Sequence, residues 1–191
     1  MIRHAASLPA APVLAALVMA ALLATAGRGA QAQDGAIMQM PAAVAEASPG
    51  LRQIGTGTLR WFGLKIYDAA LWARGAPPRF AQPFALSLRY ARSLKGATIA
   101  QRSVEEIEGL SIGTPDQHRA WGQAMANLFP DVVEGSTLTG LHVPSMGARF
   151  FHDGKPLGAI ADPEFSRAFF SIWLDPATSA PELRTALLGE R

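Results

Sequence analysis

Few residues of this chain are typed and spaced for catalysis, and the informative ones are arginines set among large rings. His118, His142 and His152 form no close pair, and no cysteine is present to complete a set of metal ligands. A serine nucleophile lacks its G-x-S-x-G elbow. Gly55-Thr56-Gly57 runs into a strand pattern rather than a helix, which excludes a dinucleotide loop. No cofactor is implied. What remains is Trp61, Phe62, Tyr67, Trp72, Tyr90, Trp121, Phe169 and Trp173, with Arg60 and Arg92 near them in the chain. Rings in this number either fill a core or wall a ligand cleft, because binding sites are built as apolar walls with one or two polar anchors. A guanidinium suits the anchor role, since it stays charged and grips a carboxylate or phenolate through two parallel bonds. Arg60 can equally be a solvated strand end.

These side chains are positioned by an alternation of strands and helices. Leu51–Arg60 and Leu64–Ala73 read as strands around Trp61-Phe62-Gly63, and Ala76-Pro77-Pro78 breaks the chain. Phe84–Arg92 alternates, with Phe84, Leu86, Leu88 and Tyr90 on one face. Ala97–Leu110 has helical periodicity. Thr114-Pro115-Asp116-Gln117 starts a second helix with a cap, a proline and a glutamine three residues on. Strands return at Ser136–Val143, Gly147–His152 and Lys155–Ile160, the last two joined by Asp153-Gly154. Pro156 cannot donate to a ladder, so its strand belongs at an edge. Asp162-Pro163 opens a third helix, and Ser179-Ala180-Pro181-Glu182 reads as a capping box for a last one. The order predicts an α+β fold, an antiparallel sheet with its helices on one face.

The first 32 residues have the form of a signal peptide. A basic start (Arg3, His4) precedes the apolar run Ala10–Ala26, and Ala30-Gln31-Ala32 is a cleavage signal. An uncleaved anchor is the alternative; a lipoprotein is excluded, because no cysteine follows. Cleavage after Ala32 leaves 159 residues: a flexible leader over 33–50 and one domain over 51–191. Arginine outnumbers lysine 14 to 3, a bias of GC-rich bacterial genomes, and this makes the expected address periplasmic. The mature chain would hold 15 basic and 15 acidic residues, which argues against nucleic acid or an anionic lipid surface as partner. No stable membrane anchor would survive cleavage, and nothing in the sequence sets the oligomeric state.

Two stretches, Gly55–Ala73 (GTGTLRWFGLKIYDAALWA) and Asp153–Leu174 (DGKPLGAIADPEFSRAFFSIWL), resemble in order and spacing the chalcone isomerase-like family in its secreted bacterial branch. The resemblance covers about Leu51 to Gly189 and implies an open-faced sandwich with a ligand cleft between sheet and helices. In that family an arginine after the Gly-x-Gly meets an anionic oxygen in the cleft, and Arg60 matches it. The spacing here is one residue longer than G-x-G-x-R, a slip that turns the side chain over unless a bulge absorbs it.

The enzymes of the family also carry a tyrosine before an arginine of the third strand, and Ala91-Arg92 stands there. Tyr90 is one position early, on the opposite side by that count. Their second-strand threonine falls at Tyr67 and the hydroxyl of the late helix at Ile172, beside Ser171. With those hydroxyls displaced, the resemblance implies a non-catalytic binder of a small amphipathic carboxylate or phenolic ligand, a fatty acid first. The alternatives are an intramolecular lyase or isomerase, and an assembly factor whose cleft is filled by its own side chains. The residues expected to touch a ligand are Arg60, Tyr67, Tyr90, Arg92 and Trp173.

Overall fold

The computed structural model describes residues 38–190. The expected signal segment, its expected cleavage site and the first residues of the expected leader lie outside the described residues. Six strands form one antiparallel meander: β1 (Arg52–Trp61), β2 (Leu64–Ala73), β3 (Phe84–Tyr90), β4 (Thr137–Val143), β5 (Gly147–His152) and β6 (Lys155–Ile160). β6 is an edge strand, where Pro156 leaves no ladder bond unmade. Five helices accompany the sheet: α1 (Ala42–Ala47), α2 (Gly96–Gly109), α3 (Pro115–Leu128), α4 (Pro163–Leu174) and α5 (Pro181–Leu188). Their side chains show why one face of the sheet is so well covered. Ile107, Trp121, Met125, Phe165 and Leu187 pack with Phe84, Leu86, Leu88 and Tyr90 of β3 in the main core.

The opposite face is covered too. Met38, Val44 and Leu51 pack with Ala70, Trp72, Ala85, Leu141 and Phe151 in a second cluster, with Val44 fully buried. Residues 38–50 are therefore not the flexible leader expected from their composition. α1 is too short to stand on helix propensity and has no side-chain cap, so packing against the sheet holds it. The sequence expectation of helices on one face describes α2–α5.

Helix starts follow local chemistry in two cases. Thr114 Oγ1 accepts from Gln117 N at 3.3 Å, and Gln117 Oε1 accepts from Thr114 N at 2.9 Å. Asp162 Oδ1 accepts from Glu164 N and Phe165 N, while its Oδ2 accepts from Trp121 Nε1 at 2.8 Å and joins α3 to α4. The capping box expected at Ser179–Glu182 is not formed. Ala180 stands at the cap with no side-chain bond, because the Ser179 hydroxyl donates to Glu106 Oε2 at 2.7 Å on α2.

Gly55-Thr56-Gly57 lies within β1 rather than in a turn, and α5 explains its glycines. A Cβ at Gly55 would sit 2.2 Å from the Ala186 carbonyl oxygen, and one at Gly57 would sit 2.7 Å from Leu183 Cδ1. The pair lets α5 lie directly on the edge strand.

Candidate functional site

Between the sheet and helices α2 and α4 lies a cavity of about 580 Å³, and all five residues expected to touch a ligand border it: Arg60, Tyr67, Tyr90, Arg92 and Trp173. How they come together depends on irregularities of the strands. β1 and β2 pair Leu59 with Tyr67 and then Arg60 with Lys65, so Ile66 is an extra residue in β2. A second shift near Ile54 leaves an extra residue in β1. Strict alternation would forbid consecutive residues from sharing a face. Around the Ile66 bulge, Leu59, Arg60 and Trp61 all border the cavity, as do Ile66 and Tyr67. No residue is added to β1 between Gly57 and Arg60, so the longer Gly-x-Gly-to-arginine spacing is kept in the strand.

Tyr67 and Tyr90 are the only two tyrosines of the chain, and they stand directly opposite one another in β2 and β3. Their rings meet edge to face at 5.9 Å. Tyr67 Oη accepts a hydrogen bond from Trp173 Nε1 at 3.0 Å, tying α4 to β2 across the cavity. The Tyr90 hydroxyl belongs to a side chain only 4% exposed, and no described residue offers it a hydrogen-bond partner. Burial pushes the Tyr67 phenol up to about 12, against the smaller opposing effect of the Trp173 bond. Burial raises the Tyr90 phenol as well, with Tyr67 adding to the effect. Both stay protonated near neutral pH, so Tyr90 holds an O–H ready to donate into the cavity.

The placement of Tyr90 corrects the expectation that it faces away. It shares the face of Leu86 and Leu88, and β3 ends there, so Ala91 and Arg92 no longer follow the alternation. Other rings stand away from the cavity or at its edge. Trp72 belongs to the cluster on the far side of the sheet, and Trp121 packs among α3, α4 and the core. Trp61 and Phe62 sit at the rim, 51% and 92% exposed.

The basic side chains of this part of the molecule differ in whether their charge is met. Lys65 and Arg89 are held by Asp68 at 2.8 and 3.1 Å. Partial burial works against the ionised form of that carboxylate, but bonds from Lys65, Thr58 and Arg89 outweigh it and lower its pKa. Arg102 pairs with Glu105 and Glu106. Arg60 and Arg92 have no ion pair or hydrogen bond among the described residues, and both are exposed. Two free guanidiniums thus border a mainly apolar chamber whose walls include Phe129, Phe150 and Phe169.

Sequence reasoning missed Arg102 and Glu106 as rim residues. The signal was present, since Ile99, Arg102, Ser103 and Glu106 recur at helical spacing along one stripe of α2. His142 was also underestimated. It is buried in β4, its Nδ1 2.7 Å from Ser166 Oγ and its Nε2 2.8 Å from the Phe80 carbonyl oxygen. Nε2 must donate to that carbonyl, which leaves Nδ1 to accept from Ser166. Burial lowers the pKa of His142, the bond to Phe80 opposes the shift, and the charge of Arg167 adds to it.

A family model described as chalcone isomerase-like matches residues 32–189, nearly the whole chain. The chain belongs to the chalcone isomerase-like family. Among solved structures it is similar to a fatty-acid binding protein of Arabidopsis thaliana, with a TM-score of 0.58 and 13% identity over 74% of this chain and 88% of that one. At that identity the likeness is one of fold. No curated protein matches in sequence. Two positions that the sequence resemblance singled out can be placed in the structure. Ala91 does not border the cavity, and Ile172 borders it with an apolar side chain; Ser171, beside it in the chain, is buried outside the lining.

Proposed function

We propose that this protein binds a small amphipathic carboxylate, a long-chain fatty acid first, without transforming it. The observation that carries this is the pairing of an apolar chamber with polar groups that have no other partner: the Arg60 and Arg92 guanidiniums at the rim and the Tyr90 hydroxyl inside. A volume of about 580 Å³ lies in the range of small-molecule sites, roughly 300–1,000 Å³. Tail burial supplies most of the affinity at ~0.8 kcal/mol per methylene. A charge-assisted bond adds ~1.5–3 kcal/mol and fixes the orientation. The Arabidopsis protein of similar fold, named for fatty-acid binding, supports this choice of ligand.

The setting we propose is the periplasm, on the strength of the basic start, the apolar run and Ala30-Gln31-Ala32. N-terminal sequencing of exported protein should begin near Gln33, and an intact Met1 on a membrane-bound product would sink that proposal.

Calorimetric titration with palmitate tests the binding. Arg60→Ala and Arg92→Ala should each weaken the acid about ten- to a hundred-fold. Palmityl alcohol should bind weakly and respond little to either change. Arg60→Lys should recover part of the loss, since an ammonium lacks the planar fork. Equal palmitate affinity in wild type and both alanine variants ends the proposal.

A further inference from the structure

We propose that the β1–β2 hairpin tip is a membrane-contact element, seating the cavity mouth on an anionic bilayer so that a fatty acid passes between lipid and chamber without crossing bulk water. The idea rests on the fatty-acid reading above and adds a surface and a partner to it.

Three of the five large hydrophobic side chains exposed among the described residues lie within four positions: Trp61 at 51%, Phe62 at 92% and Leu64 at 58%. Their exposure is built in by the backbone. Phe62 and Gly63 form the two-residue turn with φ of +46° and +79°. Asn-Gly is the pair suited to such a turn, and a bulky side chain in left-handed backbone is disfavoured. Phe62 therefore sits in a strained conformation and gains almost no burial in return, which folding alone does not explain. Trp61 and Phe62 also form the outer edge of the cavity, so whatever covers the tip meets the entrance.

Charge selects the occupant. Arg60 and Arg92 flank the same mouth without an acidic partner, while Arg102, whose charge is met by Glu105 and Glu106, lies 5.2 Å from the centroid of the Trp61 ring. The chain-wide balance of charge hides this local excess. An indole at headgroup depth, a phenyl and an isobutyl group below it, and guanidiniums against lipid phosphates form a known physical pattern of interfacial binding. A protein partner fits less well, because a stable interface buries at least about 1,200 Å², more than three side chains of a hairpin tip can supply.

The test is co-sedimentation of the purified protein with vesicles of equal parts phosphatidylglycerol and phosphatidylcholine, and with phosphatidylcholine alone. Wild type should bind the anionic vesicles, with Trp fluorescence quenched by brominated acyl chains, and bind the neutral ones at least about tenfold more weakly. Phe62→Asn should reduce anionic-vesicle binding about tenfold while its thermal midpoint holds or rises, because Asn accepts the left-handed turn. That combination cannot come from misfolding. Leu64→Ser, at a side chain that does not line the cavity, should reduce vesicle binding several-fold and leave palmitate affinity in vesicle-free buffer unchanged. No wild-type binding to anionic vesicles, equal binding to both compositions, or wild-type binding by Phe62→Asn would overturn the proposal. Palmitate binding without vesicle binding removes the docking alone; vesicle binding without palmitate binding removes the fatty-acid reading and the proposed transfer with it.

Discussion

At the scale of single residues, three polar groups that border the cavity have no partner among the described residues: the Arg60 and Arg92 guanidiniums and the Tyr90 hydroxyl. The Tyr90 hydroxyl has no partner among the described residues and is kept neutral by burial, whereas Tyr67 is tied to Trp173. His142 is satisfied on both ring nitrogens and serves the structure, fastening the Phe80 segment and α4 to β4. Its pKa is lowered in the folded state, so the unfolded chain takes up a proton first as pH falls. Above the ordinary histidine value of about 6.5 both states are neutral and the residue makes stability independent of pH. Below it, stability falls with acidification until the folded-state value is passed. Thermal unfolding between about pH 5 and 8 should show this slope on the acid side in wild type. His142→Gln keeps a donor for the Phe80 carbonyl and should flatten it; an unchanged slope would remove His142 as its source. Asp68 contributes at lower pH, since its pKa is lowered from 3.8 and its stabilisation is lost as pH falls through the folded value.

Secondary-structure elements cover the sheet unequally. α2–α5 bury one face with a dense set of rings, and the segment from Met38 through α1 buries the other with few side chains. Val44 is fully buried there against a surface that includes Trp72 and Phe151. Val44→Ala should cost about 1–2 kcal/mol, from the lost methyl groups and the space they leave. Urea denaturation should show a lower midpoint with an unchanged slope. A flexible leader predicts no change, and that result would return residues 38–50 to the expectation from composition. Close approach is the other device at this scale. α5 lies against β1 where Gly55 leaves room for its backbone and Gly57 for the Leu183 and Ala186 side chains, which gives the Gly-x-Gly a packing role in this chain.

For the whole molecule, the question is whether a chalcone isomerase-like fold with this cavity performs ring closure. That reaction needs an ionised phenol held close to an enone with donors polarising the carbonyl. Here Ile172 lines the wall at the position where the sequence resemblance led one to look for a hydroxyl, and Ala91 is absent from the lining. Loss of one organised donor costs about 10²–10³ in rate. Incubation with a chalcone should therefore give flavanone no faster than buffer; an enantiomerically enriched product would refute this, because the uncatalysed reaction yields a racemate.

What the sequence determined by itself is whatever neighbouring residues decide. The cap at Thr114, the Asp162-Pro163 start and the edge position of Pro156 depend on local backbone preference and on one missing N–H, and each is found where it was read, while the strand read over Phe84–Arg92 ends at Tyr90. Tertiary structure decided what depends on contacts across tens of residues. Ser179 gives its hydroxyl to Glu106 instead of to a cap, Met38 and Val44 close the second face of the sheet, and the bulge in β2 lets the consecutive Ile66 and Tyr67 border one chamber. A composition window cannot see a sheet face that must be covered. Nor can a period-two count see the residue at which a bulge resets it, because both are fixed by distant packing.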